Sequence, residues 1–414
     1  MEFFQCVPLN EARDLIAGRL DGITAGDESV CLPDALGRTA AADIISQEDL
    51  PPFSRSTVDG FAVRSADSFG ANESAPSLFA IAGEVVMGAP SVQELLPGQA
   101  VAIPTGGMLP AGADAVVMLE YVEQPDANTL LALKMVAPGE NVVTRGEDIQ
   151  AGSVIVKEGQ KITPQYVGVL AACGCTRVLV RKKVKVAIIS TGDELVDIQE
   201  SPKFGQIRDV NSYALEALMS AAGCVVKRLG IVRDSYEEFF TILSEATAKF
   251  ELVIISGGSS VGARDYTVKA IEALGAPGIL IHGIAIKPGK PTIFGMVDKV
   301  PVFGLPGHPV AAMTVCEQLV KLAVRKLLGQ KQPDGRFLVP ACLSRNVAST
   351  PGRDDFINVR LWKRQGEYVA DPVLGKSGLI NLMAQADGML HIPADKSGLY
   401  EGETAEVLLL KEEK

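Results

Sequence analysis

The middle of the chain, residues 184–309, alternates apolar runs of strand length with segments of helical periodicity. The runs VKVAIIS and LVIIS each lead into a short polar loop, TGDEL at 191–195 and GGSSVG at 257–262. Between the strands, apolar residues recur three or four positions apart, as Leu215 and Met219 do. This alternation predicts βα units, and therefore a doubly wound, mostly parallel sheet with helices on both faces.

Four helices are predicted to begin at a capping residue. These residues are Asn10, Thr163, either Asn211 or Ser212, and Ser235. Each has a side-chain oxygen that can accept a hydrogen bond from the first turn, and each precedes a segment of helical period. Ser235 is also followed by a glutamate three residues later, which completes a capping box.

The regions on either side of this pattern have shorter, β-like runs separated by glycine, proline, aspartate or asparagine. Such punctuation predicts small β-rich units, the last of them an antiparallel barrel or sandwich. The predicted fold is therefore multidomain α/β plus β and elongated, with a β insert that projects from it. Its domains are a discontinuous first domain of residues 1–45 and 149–180, a β-rich insert of 46–148, a central α/β domain of 181–330 and a C-terminal β domain of 331–414.

The composition is that of a folded soluble protein, with 47% hydrophobic and 21% charged residues among 414. The formal net charge of -11 argues against a nucleic-acid-binding protein, which would need a basic face. Any anionic ligand must therefore be held by local lysines, arginines and backbone N–H groups. No run is long enough to span a membrane and the start has no secretory leader pattern, so we expect a cytoplasmic protein.

The cysteines predict free thiols and argue against a disulfide framework or a zinc site. There are seven of them, an odd number, and only Cys173 and Cys175 lie close together. A single C-x-C pair lacks the second pair of ligands that a structural zinc site needs. We therefore expect reduced thiols that are buried or half-buried.

The glycine-rich loop after LVIIS is suited to binding phosphate. Gly257, Gly258, Ser259, Ser260 and Gly262 provide backbone N–H groups and two hydroxyls between a strand and a helix. The loop follows neither the dinucleotide-binding pattern nor the P-loop pattern. We expect an anion such as a phosphate group at this strand end.

Acidic residues collect at the same strand ends. Asp193, Glu194, Asp234 and Asp265 would repel one another there unless a cation lay among them, and Mg²⁺ is commonly bound through carboxylates and substrate phosphate. The alternative is that each acid only caps a helix or closes a turn, and it applies most to Asp234 beside the capping Ser235. The pattern predicts a magnesium site and leaves that alternative open.

Two lysines stand in a stiff loop, KPGKP, in which the prolines fix the backbone. Lys287 and Lys290 would place their ammonium groups across the site as point charges for an oxyanion or a phosphate. A solvated surface turn is the alternative. The LPGHP turn that follows contains His308, for which we expect a hydrogen-bonding role, since the chain has three histidines and none stands at metal-ligand spacing from it.

Taken together, the loop sequences resemble those of one family. PPFSRSTVDGFAVR, PTGGMLP, RGEDI, STGDEL, SGGSSVGARDYT, IKPGKP and GLPGHP follow one another as in the molybdopterin molybdenumtransferase (MoeA) family, which is related to the E domain of gephyrin. The resemblance covers nearly the whole chain. It implies the four-part fold given above, with a C-terminal β-barrel, and a homodimer in which the insert of one subunit faces the central domain of the other.

The resemblance also implies a reaction. The enzyme would take adenylylated molybdopterin, bind molybdate and, with Mg²⁺, release AMP as the metal enters the dithiolene. The implied catalytic residues are Asp59, Thr105, Asp148, Glu194, Asp265, Lys287 and Lys290. The implied substrate-binding residues are Arg145, Ser256, Gly257, Gly258, Ser259, Ser260, Gly262, Pro306, Pro309 and Ser377, and the implied metal ligands are Glu194, Asp234 and Asp265. The implied protein partners are the molybdopterin adenylyltransferase and molybdoenzyme chaperones.

Three positions depart from the usual pattern of that family. His308 stands where many members have asparagine, and Val143 and Gly283 stand where many have a basic residue. The lost positive charges leave open a paralogue that prefers tungstate, although His282 and Arg145 could compensate. Two other classes are an adenylyltransferase acting on molybdopterin, which would not need the flanking β domains, and a non-enzymatic molybdopterin-binding scaffold. The intact carboxylates and KPGKP lysines favour the enzyme.

Overall fold

The computed structural model describes residues 6–91, 94–233, 235–257, 261–331 and 337–410, with residues 261–265 described by their backbone only. Four predicted site residues, Asp234, Gly258, Ser259 and Ser260, lie outside these ranges. Gly262 and Asp265 belong to the helix Val261–Leu274, and the Asp265 side chain lies outside the description.

The centre of the protein is a six-stranded sheet. Its strands, in sheet order, are Val225–Val232, Lys185–Thr191, Leu252–Gly257, Val300–Leu305, Ile293–Val297 and Pro277–His282. The first four pair in parallel, and Ile293–Val297 is antiparallel to both of its neighbours. The predicted mostly parallel sheet is therefore confirmed.

Helices cover both faces of this sheet. They are Asn211–Ala221, Tyr236–Lys249, Val261–Leu274 and a final helical segment made of Pro309–Val315, a π-helical turn Cys316–Val320 and Lys321–Leu327. Alternate strand residues enter two separate cores, Ile188 with Leu215 on one face and Ile189 with Leu243 on the other. Because both faces are buried, the strands appear in the sequence as continuous apolar runs. Within the described ranges, no helix has the combined length and apolar character needed to cross a bilayer.

Segments before and after the insert form two short antiparallel ladders. Asp27–Cys31 pairs with Arg177–Arg181, and Ile44–Ile45 pairs with Val154–Val156. The helix Pro164–Ala172 and the 3-10 turn Leu32–Ala35 share a core with them. The N-terminal helix Leu9–Arg19 instead packs into the core of the central unit, where Ile16 is fully buried. The domain boundaries predicted from the sequence did not anticipate this contact.

The insert is built on its own six-stranded sheet. In sheet order its strands are Ala115–Met118, Gly60–Val63, Gln99–Ile103, Ser77–Glu84, Thr129–Ala132 and Val122–Asp126, and its 3-10 turns are Ser65–Ser68 and Leu119–Tyr121. Clusters containing Phe79 and Ile103 bury its apolar side chains. A separate ladder of Arg55–Ser56 with Val142–Val143 brings the beginning and the end of the insert together.

Five strands near the C-terminus close into a barrel. Around the barrel they are Asp354–Arg364, Glu367–Pro372, Leu338–Leu343, Thr404–Leu409 and Gly388–Ile392, and the last pairs again with the first. The ladder Val347–Ala348 with Gly398–Leu399 and the short helix Asn381–Ala384 complete this unit. A strand of the central unit, Ile286–Lys287, pairs in parallel with Asp354 and Asp355 of the barrel. The predicted barrel is confirmed, but it is not wholly antiparallel as predicted, since Leu338–Leu343 and Glu367–Pro372 pair in parallel. The pairing of Ile286–Lys287 with the barrel joins it to the loop KPGKP.

Two predicted helix caps are confirmed. The Thr163 hydroxyl accepts a hydrogen bond from the Tyr166 N–H at 3.5 Å, at the start of Pro164–Ala172. The Ser235 hydroxyl accepts one from the Glu238 N–H at 3.5 Å, at the start of Tyr236–Lys249. In both helices the local sequence is sufficient to place the first turn.

The other two predicted caps are wrong. The first helix begins at Leu9, so Asn10 lies inside its first turn. Asn211 also lies inside its helix, because the carboxylate of Asp209 accepts the Ser212 N–H at 3.1 Å. The Asn211 side chain is thereby left for a tertiary contact that its position in the sequence did not predict.

All seven cysteines are free thiols, as predicted, and six are buried or half-buried. Cys31 is the exception, since its side chain is exposed. Burial raises the pKa of the Cys224 thiol to about 12 and raises the pKa of the Cys316 thiol well above its ordinary value. The thiolate is the reactive form of cysteine, so both thiols are chemically protected in the folded protein.

We expect a disulfide reagent such as DTNB, at about pH 8, to modify Cys31 in the native protein and to leave Cys224 and Cys316 unmodified. The physical reason is that a thiol with a pKa of about 12 is almost wholly protonated at this pH. Peptide mass spectrometry after labelling with and without denaturant measures the difference. Native labelling of Cys224 as fast as that of Cys31 would contradict the prediction.

Candidate functional site

The sheet order reverses between the strands Lys185–Thr191 and Leu252–Gly257. From the first of them the chain passes to Val225–Val232 on one side and then returns to Leu252–Gly257 on the other. In open α/β sheets, ligands bind in the crevice at the carboxyl ends of the strands at such a switch point. The predicted loops TGDEL and GGSSVG start there, so the fold brings Glu194, Ser256 and Gly257 to one edge of the sheet.

A buried hydrogen-bond network lies at these strand ends. The Asn211 amide nitrogen donates to Ser256 Oγ at 2.9 Å and to the Gly307 carbonyl at 2.8 Å. The Gly307 carbonyl can only accept, so this contact fixes which end of the amide is nitrogen. Next to it, the Ser190 hydroxyl donates to Asp209 Oδ2 at 2.6 Å. Asn211 thus ties the strand end at Ser256 to the LPGHP turn.

Two side chains with oxygen atoms lie at the end of the strand Lys185–Thr191 and in the loop after it. The exposed carboxylate of Glu194 folds back over Gly192, with Oε2 2.6 Å from where a Cβ of that residue would stand. The Thr191 hydroxyl is buried and has no hydrogen-bond partner among the described residues. Oxygen is the donor that Mg²⁺ prefers, so this part of the predicted ligand set fits the ion. Among the described residues there is no group of three or more histidine, cysteine, aspartate or glutamate side chains that could hold a metal ion. Asp234 and the Asp265 side chain lie outside those residues.

Two predicted site residues meet in the insert. Asp59 Oδ1 accepts hydrogen bonds from the Thr105 backbone N–H at 2.7 Å and from the Thr105 hydroxyl at 3.0 Å. Both side chains are exposed, so the carboxylate remains open to solvent. The pair presents one negative charge and one hydroxyl at a fixed position on the insert surface.

Asp49 holds the loop that closes the insert, which contains Arg145 and Asp148. Arg145 Nε donates to Asp49 Oδ2 at 2.7 Å, and the Ala151 N–H donates to Asp49 Oδ1 at 2.9 Å. These contacts, the backbone N–H first and the guanidinium second, lower the pKa of Asp49. Asp148 follows with an exposed side chain, and its backbone N–H donates to the Leu50 carbonyl at 3.0 Å. Arg145 and Asp148 therefore lie on one exposed loop.

A cavity of about 840 Å³ lies between the central unit and the barrel. Four residues predicted for the site line it, namely Lys287, Lys290, Pro306 and Ser377. Pro309, also predicted, begins the adjoining helix Pro309–Val315. His308 Nδ1 lies 2.8 Å from Ser377 Oγ, and the Val310 N–H donates to the Ser377 carbonyl at 3.2 Å. The KPGKP loop, the LPGHP turn and the loop around Ser377 therefore meet around one space.

The charges around this cavity are mostly positive. Its basic lining residues are Lys287, Lys290, Arg353 and Lys376, and its acidic lining residue is Asp355. Asp355 Oδ2 lies 3.3 Å from Lys287 Nζ, and Asp355 Oδ1 lies 3.2 Å from Arg353 Nε. Apolar residues such as Val347 and Leu374 form much of the remaining wall. The arrangement suits a small anion with several oxygens.

Three segments of the chain match known domain families. Residues 7–174 match the MoeA N-terminal region (domain I and II), 187–326 a "Probable molybdopterin binding domain" and 340–410 the MoeA C-terminal region (domain IV). The molybdopterin molybdenumtransferase of Bacillus subtilis is 34% identical, over 93% of this chain and 90% of the relative. That of Haemophilus influenzae is 33% identical, over 96% of this chain and 97% of the relative. The chain belongs to the MoeA family.

Solved structures agree with this membership. The molybdopterin biosynthesis MoeA protein from Pyrococcus horikoshii OT3 superimposes with a TM-score of 0.85 at 32% identity, covering 98% of this chain and 100% of that chain. The family predicted from the loop motifs is therefore confirmed, and the predicted enzyme class agrees with the name that the two bacterial relatives carry.

Sequence patterns did not point to two residues of the cavity in this MoeA family member. Arg353 and Asp355 stand in the GRDDF segment, which resembles an ordinary turn before a strand. Only the parallel pairing of Ile286–Lys287 with the barrel brings them next to Lys287. The signal available in the sequence was a short charged segment directly before a β-like run. That signal is weak.

Proposed function

We propose that this protein is a molybdopterin molybdenumtransferase, which inserts molybdate into adenylylated molybdopterin, releases AMP and so acts in molybdenum cofactor biosynthesis. The observation that carries the proposal is the cavity between the central unit and the barrel. Four basic side chains line it in a chain whose formal net charge is -11. The relatives from B. subtilis and H. influenzae carry the name of this activity.

The cavity is proposed to bind the oxyanion. Lys287 and Lys290 supply point charges, and the planar guanidinium of Arg353 supplies paired N–H donors that match two oxygens of an anion. Ser377, held by its hydrogen bond with His308, adds a hydroxyl at the same wall. The excess of basic over acidic lining residues provides the electrostatic attraction that the acidic chain as a whole lacks.

The switch point of the central sheet is proposed to bind the pterin nucleotide. The start of the helix Val261–Leu274 would supply backbone N–H donors for phosphate. The glycine-rich sequence before it, of which residues 258–260 lie outside the description, would add further donors. Glu194, with Asp234 and Asp265, would hold Mg²⁺, which when bound offsets negative charge on the phosphoanhydride. The Asn211 amide donates to Ser256 at this site and to Gly307 in the cavity wall. It therefore fixes the position of the two proposed binding places relative to each other.

A second copy of the chain is proposed to complete the site. Asp59 and Thr105 lie on the insert, but within the described ranges no residue of 46–148 lines the cavity. The insert of a partner subunit could supply them. Exposed apolar side chains in the segments before and after the insert also favour self-association, namely Leu36, Ile45, Val154 and Leu179. Ile45 and Val154 are paired across one ladder. Burying this apolar surface against the same surface of a second copy gives a two-fold symmetric dimer.

Two alternative functions would use the same site, one with a different oxyanion and one without catalysis. A paralogue that prefers tungstate is suggested by Val143 and Gly283, where a positive charge of the usual pattern is lost. A scaffold would bind the pterin without releasing AMP. The adenylyltransferase of the pathway and molybdoenzyme chaperones remain the proposed protein partners, since one makes the substrate and the others receive the product.

We expect the purified protein to release AMP from adenylylated molybdopterin only when both Mg²⁺ and molybdate are present. Asp59→Asn and Asp265→Asn should each lower this rate by about 10²-fold or more, the usual cost of removing a charged group that acts on the reacting phosphate. Chromatography of AMP, with reconstitution of a cofactor-free molybdoenzyme, measures both products. Parallel assays with tungstate determine the preference between the two oxyanions.

Glu123→Gln is the matched control for Asp59→Asn. It removes one exposed carboxylate from a strand of the same insert, Val122–Asp126, and should leave the rate unchanged. Normal AMP release by folded Asp59→Asn and Asp265→Asn variants would contradict the proposed roles. Binding of the pterin nucleotide with no AMP release under any condition would indicate the scaffold.

A further inference from the structure

Asp355 is a nearly buried acid in a cavity whose other charged lining side chains are basic. Its side chain is 2% exposed, whereas that of Lys287 is 53% exposed and that of Arg353 is 37% exposed. One carboxylate oxygen lies 3.3 Å from Lys287 Nζ and the other lies 3.2 Å from Arg353 Nε. A single fixed negative charge is thus shared by two cations that extend toward the cavity.

The backbone holds this carboxylate in place. Asp355 lies in the barrel strand Asp354–Arg364 and is paired in register with Lys287 of the central unit. Because side chains alternate along a strand, Asp354 points to the opposite face, where it meets His391 at 2.6 Å. Asp355 therefore cannot move away from the two cations without disrupting the joint between the barrel and the central unit.

An anion entering the cavity meets cations that are already partly neutralised. Lys287 and Arg353 can turn toward an incoming oxyanion because they are half exposed, but each must weaken its contact with Asp355 in doing so. The fixed carboxylate also repels the incoming anion directly. Both effects lower the affinity for a multiply charged oxyanion and speed its departure.

We propose that Asp355 is an internal counter-ion that occupies Lys287 and Arg353 while the cavity is empty and sets how tightly the protein holds its oxyanion. It acts through the two cations and is therefore a positioning residue. This inference rests on the proposed oxyanion site. Its functional meaning is that molybdate is held loosely enough to be passed on to the pterin.

The test is the affinity of the full-length protein for molybdate and for tungstate, measured by isothermal titration calorimetry at two salt concentrations. Asp355→Asn should bind both oxyanions about tenfold more tightly than the unchanged protein, because one like charge is removed and two cations are released. Its affinity should also fall more steeply with added salt. A residue that only supported the fold would, when changed, weaken binding or leave it unaltered.

Asp354→Asn is the matched control. It makes the same change one residue away, on the face of the strand that meets His391, and should leave the affinity close to that of the unchanged protein. A second comparison limits the local excess of positive charge in case Asp355→Asn alone does not fold, because its double variant removes one cation together with the carboxylate. Arg353→Gln should bind more weakly than the unchanged protein, and adding Asp355→Asn to it should tighten binding again.

The outcomes separate two failures. If the unchanged protein binds neither molybdate nor tungstate, the proposed oxyanion site is wrong. If the unchanged protein binds them but neither Asp355→Asn nor the double variant binds more tightly than its parent, the counter-ion role of Asp355 is wrong. Tighter binding in either comparison, with Asp354→Asn unchanged, supports it.

Discussion

Replacing Lys287 and Lys290 together by glutamine should lower molybdate-dependent AMP release by about 10³-fold. Each lysine supplies a positive charge to the cavity, and loss of one charged donor to an oxyanion typically costs about 10² in rate. The two losses will not add fully, since both lysines serve the same ligand. The rate constant at saturating pterin nucleotide, measured across a range of molybdate concentrations, determines the effect.

The fold should survive this double change. Asp355 keeps Arg353 as a partner at 3.2 Å, so its buried carboxylate is not left without a cation. Lys299→Gln is the matched control, because Lys299 is exposed in the turn between Ile293–Val297 and Val300–Leu305, at the opposite edge of the sheet. A double variant as active as the Lys299→Gln protein would show that the KPGKP loop is only a surface turn.

Changing Gly257 to alanine should destabilise the central unit by about 3 kcal/mol or more. A Cβ at this position would lie 2.0 Å from the Thr191 carbonyl oxygen and 2.8 Å from its hydroxyl, and the φ of +122° is unfavourable for any residue with a side chain. The two strand ends would have to separate at the switch point. We expect the melting temperature to fall by roughly 6–12 °C for a unit of this size, with loss of AMP release.

Gly168→Ala provides the contrast within the same chain. Gly168 lies in the helix Pro164–Ala172 with open space around its Cβ position, so alanine there should be neutral or stabilising by about 0.5–1 kcal/mol. Differential scanning calorimetry on both variants measures the two effects under one condition. A Gly257→Ala protein that melts with the unchanged protein would mean that the close approach of the two strands is not required.

The sequence was most informative where one segment contains all the determinants of its structure. Thr163 and Ser235 cap helices as predicted because donor and acceptor lie within one turn. Asn211 does not cap its helix as predicted, because the Asp209 carboxylate accepts the hydrogen bond from the first turn. The Asn211 amide instead donates to the Gly307 carbonyl, which is 96 positions away. A local rule cannot rank a cap against a tertiary partner that the sequence does not bring close.

The functional loops also contain some residues that the sequence predicted and others that only the tertiary contacts revealed. Lys287 and Lys290 were predicted from one stiff loop, and Asp59 with Thr105 from family resemblance. The contact of Lys287 with Asp355, 68 positions away, depends on how the barrel docks on the central unit. Arg353 gave little signal because a basic residue before a strand is common in any sequence.

The sequence alone determined the succession of strands and loops along the chain, the parallel character of the central sheet and the family. It could do so because apolar periodicity and short motifs are local properties of the chain. The tertiary structure decided which loops share a cavity, which acid faces its lysines and where the N-terminal helix packs. These contacts are made where the units bury surface against each other, and the free energy gained depends on three-dimensional complementarity. No periodicity along the chain records it.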